Sequence, residues 1–161
     1  MFVLLRQLQQ IRRDAALPRP AVRTSLAIRH VDAGSCNGCE HELTATMGPY
    51  YDLQQYGFSI AASPRHADVL LLTGPLTRRM LEPARKAYEA MPEPRLVAAL
   101  GDCALGCNVL AHPDELAGPV EQVFAVDIRI PGCPPSPATI AAALLDALAH
   151  TSPTRARGES H

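Results

Sequence analysis

Residues 67–75 read ADVLLLTGP, in which Val69 to Leu72 form an unbroken apolar run closed by Thr73 and Gly74-Pro75. A strand with one wet face alternates apolar and polar residues. A continuous run bounded by turn residues is instead the pattern of a strand covered on both faces, as in a parallel sheet. Working outward, strand and helix patterns alternate. Upstream, TSLAIRHVD (24–32) predicts a strand in which Leu26 and Ile28 alternate and Val31 falls out of step. EHELTATMGPYYDLQQYG (40–57) predicts a helix at its start, broken by Gly48-Pro49, and FSIAASP (58–64) a short strand. Downstream, TRRMLEPARKAYEAM (77–91) places Met80, Leu81, Ala84, Ala87 and Tyr88 at helical spacing. RLVAALGD (95–102) and VFAVDIRIPG (123–132) predict further strands. SPATIAAALLDALAH (136–150) predicts a final helix with Ser136 as N-cap and Pro137 at the first helical position. This alternation predicts an α/β fold, a mostly parallel sheet with helices on both faces.

The expected organisation is one domain over residues 25–150, an N-terminal segment 1–24 and a polar tail 151–161. In the first segment Leu4, Leu5, Leu8 and Ile11 share a helical face, suited to docking on a membrane subunit or on its own domain. With 47% hydrophobic and 19% charged residues, a 161-residue chain can bury a core without cross-links. A net charge of −1 lacks the basic footprint of a nucleic-acid binder. No run reaches the roughly 20 apolar residues that span a bilayer. Arg12-Arg13 is followed by Asp14 and prolines rather than an apolar stretch, so an exported precursor is not expected. A cytoplasmic chain keeps its thiols reduced, which reads its five cysteines as ligands or buried thiols rather than a disulfide framework.

Four of those cysteines follow predicted strands: Cys36 and Cys39 after the first, Cys103 after RLVAAL and Cys133 after VFAVDIRI. Open α/β sheets bind ligands at the carboxyl ends of their strands, so the three loops are expected to converge on one edge. Each loop is glycine-flanked, which lets main-chain N–H groups approach the sulfurs. Spacing alone leaves three readings open: an iron–sulfur cluster, a structural zinc site, or a redox dithiol with buried bystanders.

The segments GSCNGCEHEL (34–43), SPRHADVLLLTGPLT (63–77), PEPRLVAALGDCA (92–104) and VDIRIPGCPPSPATI (126–140) resemble, in unbroken order, one family. It is the small, cluster-carrying subunit shared by membrane-bound nickel–iron hydrogenases and respiratory complex I, and the likeness covers about residues 25–149. The resemblance implies a flavodoxin-like fold and one 4Fe–4S cluster on Cys36, Cys39, Cys103 and Cys133. The C-x-x-C pair followed by an acid, CNGCE, resembles the energy-converting hydrogenase and formate-hydrogenlyase branch. Complex I relatives carry adjacent cysteines there.

The implied function is electron transfer beside a large catalytic subunit, nickel–iron or quinone-binding. A ferredoxin-like cluster subunit and integral membrane subunits complete the assembly, placed peripherally on the cytoplasmic face of the membrane. A quinone-reducing complex I-like role is the alternative, and a zinc-stabilised interaction module the rival from another class. No nucleophile–base pair, phosphate loop or dinucleotide fingerprint is visible, so no catalytic centre of its own is expected. Cysteines fill the loop where a flavin would otherwise sit.

Cys107 stands where the family has a small residue and is read as a silent packed thiol. Glu40, beside a ligand, is a candidate proton relay or interface residue, against the plainer reading that it and Glu42 meet the helix dipole. Arg65 and His66 are candidates for donating towards the site or its partner, against a solvated loop. His30, His112, His150 and His161 are read as surface or capping residues, and Asp102 as shaping its turn.

Overall fold

The computed structural model describes residues 25–107 and 112–150. The expected N-terminal amphipathic helix and the polar tail, with His161, lie outside them. Strand β1 (Leu26–Asp32) leads to helix α1 (Gly38–Thr46), β2 (Phe58–Ile60), β3 (Val69–Thr73) and β4 (Leu76–Thr77). There follow α2 (Arg78–Glu89), β5 (Leu96–Leu100), β6 (Leu116–Gly118), α3 (Val120–Val123), β7 (Ile128–Ile130) and α4 (Pro137–His150). Five strands form a sheet in the order β2-β1-β3-β5-β7, every pairing parallel. Counted within the sheet the order is 2-1-3-4-5, the flavodoxin-like arrangement. Strands β4 and β6 pair separately as a short antiparallel ribbon.

The run that predicts a doubly covered strand occupies the middle of this sheet, and Val69 to Thr73 are all buried. Val69 and Leu71 face a core completed by Leu43 of α1 and Ile140, Leu144 and Leu148 of α4. Leu70 and Leu72 face the opposite core, with Ala84 of α2 and Val120 and Phe124. Strand β1 is likewise covered twice. Leu26 and Ile28 enter the first core and Val31 the second, so the apparent slip at Val31 is the second face of a regular strand.

Helix α1 stops at Thr46, two residues before Gly48-Pro49. Helix α4 starts as expected, with Ser136 Oγ accepting the Thr139 N–H at 3.2 Å. The last strand is shorter than its apolar pattern predicts. Val123 belongs to α3 and Phe124 packs into the second core, leaving only Ile128–Ile130 in the sheet.

Two aspartates fix where strands begin pairing. The Asp68 N–H donates to Ala27 O and its Oδ2 accepts the Ala27 N–H, both at 2.8 Å. Asp127 does the same with Val97, both bonds at 2.9 Å. Each carboxylate stands in for a main-chain acceptor, so the β1–β3 and β5–β7 registers are set at the amino ends of the strands.

Candidate metal centre

The opposite, carboxyl edge of the sheet carries the cysteines. After β1, the Asp32 carboxylate accepts N–H bonds from Gly34 at 2.8 Å and Ser35 at 2.7 Å, which turns the chain sharply. Burial works against the charge of Asp32, but the Ser35 and Gly34 donors outweigh it and hold the carboxyl below its ordinary value. The turn delivers Cys36 and Cys39 to the start of α1. After β5, Gly101 extends the ladder by donating to Ile130 O at 2.8 Å. Asp102 then donates to Gly132 O at 2.8 Å and accepts the Gly132 N–H at 2.7 Å. Cys103 and Cys133 are the next residues along the two joined loops.

The three loops surround one cavity of about 150 Å³, lined by Cys36, Cys39, Cys103 and Cys133 together with Gly74 and Pro134. Cys103 is buried, Cys39 half-buried, and Cys36 and Cys133 are exposed at the mouth. Burial, followed by the nearby Glu40, Cys36, Cys103 and Cys133, pushes the Cys39 thiol up to about 12. Four thiols thus face one space, and ionising Cys39 is disfavoured there until a strongly positive group sits among them. Among the described residues no three His, Cys, Asp or Glu side chains gather closely enough to hold a single metal ion. A tetrahedral zinc needs sulfurs within about 3.8 Å of one another, given Zn–S bonds of about 2.3 Å. The donor set and the cavity between its members fit a polynuclear group with thiolate ligands.

Gly101 makes this approach possible. Its φ is +91°, and a Cβ there would lie 2.6 Å from Cys39 Sγ. Gly101→Ala should therefore expel that sulfur from its place and force a left-handed backbone on an alanine. The strain of about 1–3 kcal/mol should lower the melting temperature by roughly 2–12 °C. An alanine variant with unchanged melting would contradict this placement.

Glu40, in the first turn of α1, is more engaged than a helix-end carboxylate needs to be. Its Oε1 accepts from Ser35 Oγ at 2.7 Å and from Thr73 Oγ1, and lies 3.5 Å from His30 Nε2. Its Oε2 is buried without a hydrogen-bond partner. His30 is no loose surface residue, correcting the sequence reading. It points from β1 towards Thr73 Oγ1 at 2.8 Å, with its side chain only 24% exposed. Burial lowers its pKa below 6.5, outweighing the opposing pull of Glu40 and Asp32. Its parity with Leu26 and Ile28 was the available sequence signal. For Arg65 and His66, only donation towards the cysteine site is excluded. Their turn precedes β3 at the amino end, and five residues of strand, about 16 Å, separate it from the cysteines. His112 and His150 are exposed beside Asp114 and Asp146. Cys107 is exposed rather than packed, which corrects that part of its reading, and it does not line the cavity.

Residues 36–147 match the family described as NADH ubiquinone oxidoreductase, 20 Kd subunit. The chain belongs to this family. Among its relatives is the "Probable membrane-bound hydrogenase subunit mbhJ" of Pyrococcus furiosus, 43% identical over 69% of this chain and 66% of that one. Formate hydrogenlyase subunit 7 of Escherichia coli is 39% identical over 73% of this chain and 46% of its own length. The chain thus spans about two thirds and under half of these two relatives. A chain from the membrane-bound sulfane sulfur reductase, an archaeal respiratory membrane complex, superposes with a TM-score of 0.66 and 28% identity, covering 80% of this chain and 73% of that one. A chain of an NAD+-reducing NiFe-hydrogenase superposes at 0.61 with 20% identity, covering 81% and 94%, and shares the fold. The family match begins at Cys36 and includes Cys39, Cys103 and Cys133. No helix among the described residues is long and apolar enough to cross a membrane.

Proposed function

We propose that the chain is the electron-transfer subunit of a membrane-associated, hydrogenase-like oxidoreductase, carrying one 4Fe–4S cluster on Cys36, Cys39, Cys103 and Cys133. The observation that carries this reading is the single cavity onto which all four thiols open from three loops far apart in sequence. When bound, such a cluster supplies one-electron redox chemistry. The chain's own residues do the rest. Asp32, Asp102 and the glycines around them orient the thiols, and Cys103 and the α1 and α4 core exclude water from the inner side. The exposed Cys36 and Cys133 mark the side on which a large catalytic subunit docks, close enough for electrons to cross. A ferredoxin-like subunit and integral membrane subunits complete the proposed complex, which holds this chain peripherally at the cytoplasmic face.

Glu40 belongs to the proposal as a proton relay. His30 Nε2–H donates to Thr73 Oγ1, whose hydroxyl donates to Glu40, so a continuous donor chain ends on a carboxylate beside the ligand Cys39. The quinone-reducing reading is supported by the description of the family itself. The hydrogenase reading is favoured by CNGCE and by the two relatives named for hydrogenase and formate hydrogenlyase complexes.

Anaerobic purification of the full chain with its partners tests the core of the proposal. About four irons per chain and a brown colour are expected for a 4Fe–4S protein. A colourless protein with one zinc per chain would replace the cluster by a structural site. The large subunit's sequence separates the two electron-transfer readings, since two C-x-x-C pairs there are what nickel–iron requires.

A further inference from the structure

The two bonds between Asp102 and Gly132 occur where the sheet can no longer hold its own edge. Strand β7 is a three-residue edge strand whose register with β5 ends at Leu100 and Ile130. The next residue, Pro131, has no N–H to give, so the ladder cannot continue through it. The chain then turns at Gly132, where φ is +135° and a Cβ would meet Pro135 at 2.6 Å. The Gly132 N–H would be left without a main-chain acceptor. The Asp102 carboxylate takes it at 2.7 Å, while its own N–H returns a 2.8 Å bond to Gly132 O. This is the device that Asp68 and Asp127 use at the amino edge to start strand pairing, here moved to the edge that carries the cysteines.

Its position is what differs. Asp102 immediately precedes Cys103 and Gly132 immediately precedes Cys133, so the clamp acts one bond from each sulfur-bearing residue. Asp32, by contrast, closes a turn within a single loop and ties nothing across. We propose that Asp102 is a positioning residue that fixes the separation of Cys103 and Cys133 before any group binds. The inference rests on the reading of these cysteines as ligands. It assigns to Asp102 an acceptor's role, with the oxygen and its reach as the requirement rather than the charge.

The test compares Asp102→Asn, which keeps an oxygen at the same reach without charge, with Asp102→Glu, which keeps the charge but sets it one methylene too far. Two readouts are taken on the full chain. The first is crosslinking of Cys103 to Cys133 by a short bifunctional thiol reagent in the metal-free chain, mapped by peptide mass. The second, after anaerobic loading with ferrous iron and sulfide, is the rate of iron loss to a chelator together with the low-temperature paramagnetic signal. D102N should match wild type in both. D102E should lose the crosslink, release iron about 10–100-fold faster and give an altered signal. If D102E does not fold by circular dichroism, D102S, whose shorter hydroxyl cannot reach Gly132, takes its place with the same expectation. The reverse order, D102E normal and D102N impaired, would make the role electrostatic and overturn the clamp. So would wild-type behaviour in both. A wild-type chain that binds no iron would remove the cluster reading, while the metal-free crosslink would still decide for or against the clamp.

Discussion

Cys103→Ala should leave the chain with almost none of the iron expected of the wild type. The residue is the deepest of the four cysteines, only 8% exposed. Alanine fits within the volume of a cysteine but offers no ligand. A 4Fe–4S group needs a thiolate on each iron, and the lining of this cavity holds no spare one. The nearest cysteine in sequence, Cys107, is exposed, is anchored by its N–H to Asp102 O at 2.9 Å and does not line the cavity. The iron content should drop from about four per chain towards zero, and the paramagnetic signal of the reduced protein should vanish. Cys107→Gly, the matching control, should change neither. A normal signal in Cys103→Ala would transfer the ligand role to Cys107 and would require the Gly101–Cys107 loop to rearrange.

Glu40→Gln should preserve the iron and its signal while slowing proton-coupled turnover of the assembled complex by about 10²–10⁴-fold. Glutamine keeps an oxygen where Ser35 and Thr73 donate, so the hydrogen bonds that seat the side chain survive. What it lacks is a titratable proton. Burial lowers the pKa of His30 and so favours its neutral form. The direction of the chain then follows from its end point. The carboxylate accepts, Thr73 donates to it, and His30 must donate through Nε2 to Thr73. The buried, unpartnered Oε2 of Glu40 is the open end of this chain. The plainer alternative is a carboxylate at a helix start, worth about 0.3–1 kcal/mol through the helix dipole. That role would cost a little stability and leave turnover within a factor of a few. Activity and melting measured together on the same preparation separate the two.

The fold was legible because its decisive strand advertises burial on both faces, and because Cys36, Cys39, Cys103 and Cys133 each follow a predicted strand. What the sequence hid shares one cause. Leu76–Thr77 pairs with Leu116–Gly118 across a long interval, and two or three residues carry no period of their own. The final apolar stretch mixes a strand with residues that pack from α3, and apolarity does not tell them apart. At the site, the four thiols were visible as residue types at strand ends. The partners of Glu40 were not, because Thr73 and His30 reach it through the β1–β3 register, in which His30 sits opposite Leu71 and Asp32 opposite Thr73. The clamp at Gly132 depends in the same way on which strand lies beside β5. Neighbours made by pairing leave no mark on spacing.

The distribution of the thiols over the sheet also sets when they can meet. Cys36 and Cys39 follow β1, Cys103 follows β5 and Cys133 follows β7, and β1 and β5 come together only through β3. Parallel pairings of this kind join distant parts of the chain, and the entropy of closing those loops is met late in folding. During synthesis Cys36, Cys39 and Cys103 leave the ribosome while β7 and α4 are still to come, and the cavity then lacks a wall. A nascent chain holds loose thiols; a finished one holds a site. On the proposed reading, the cluster is loaded only once α4 has been made, onto a folded chain rather than an emerging one.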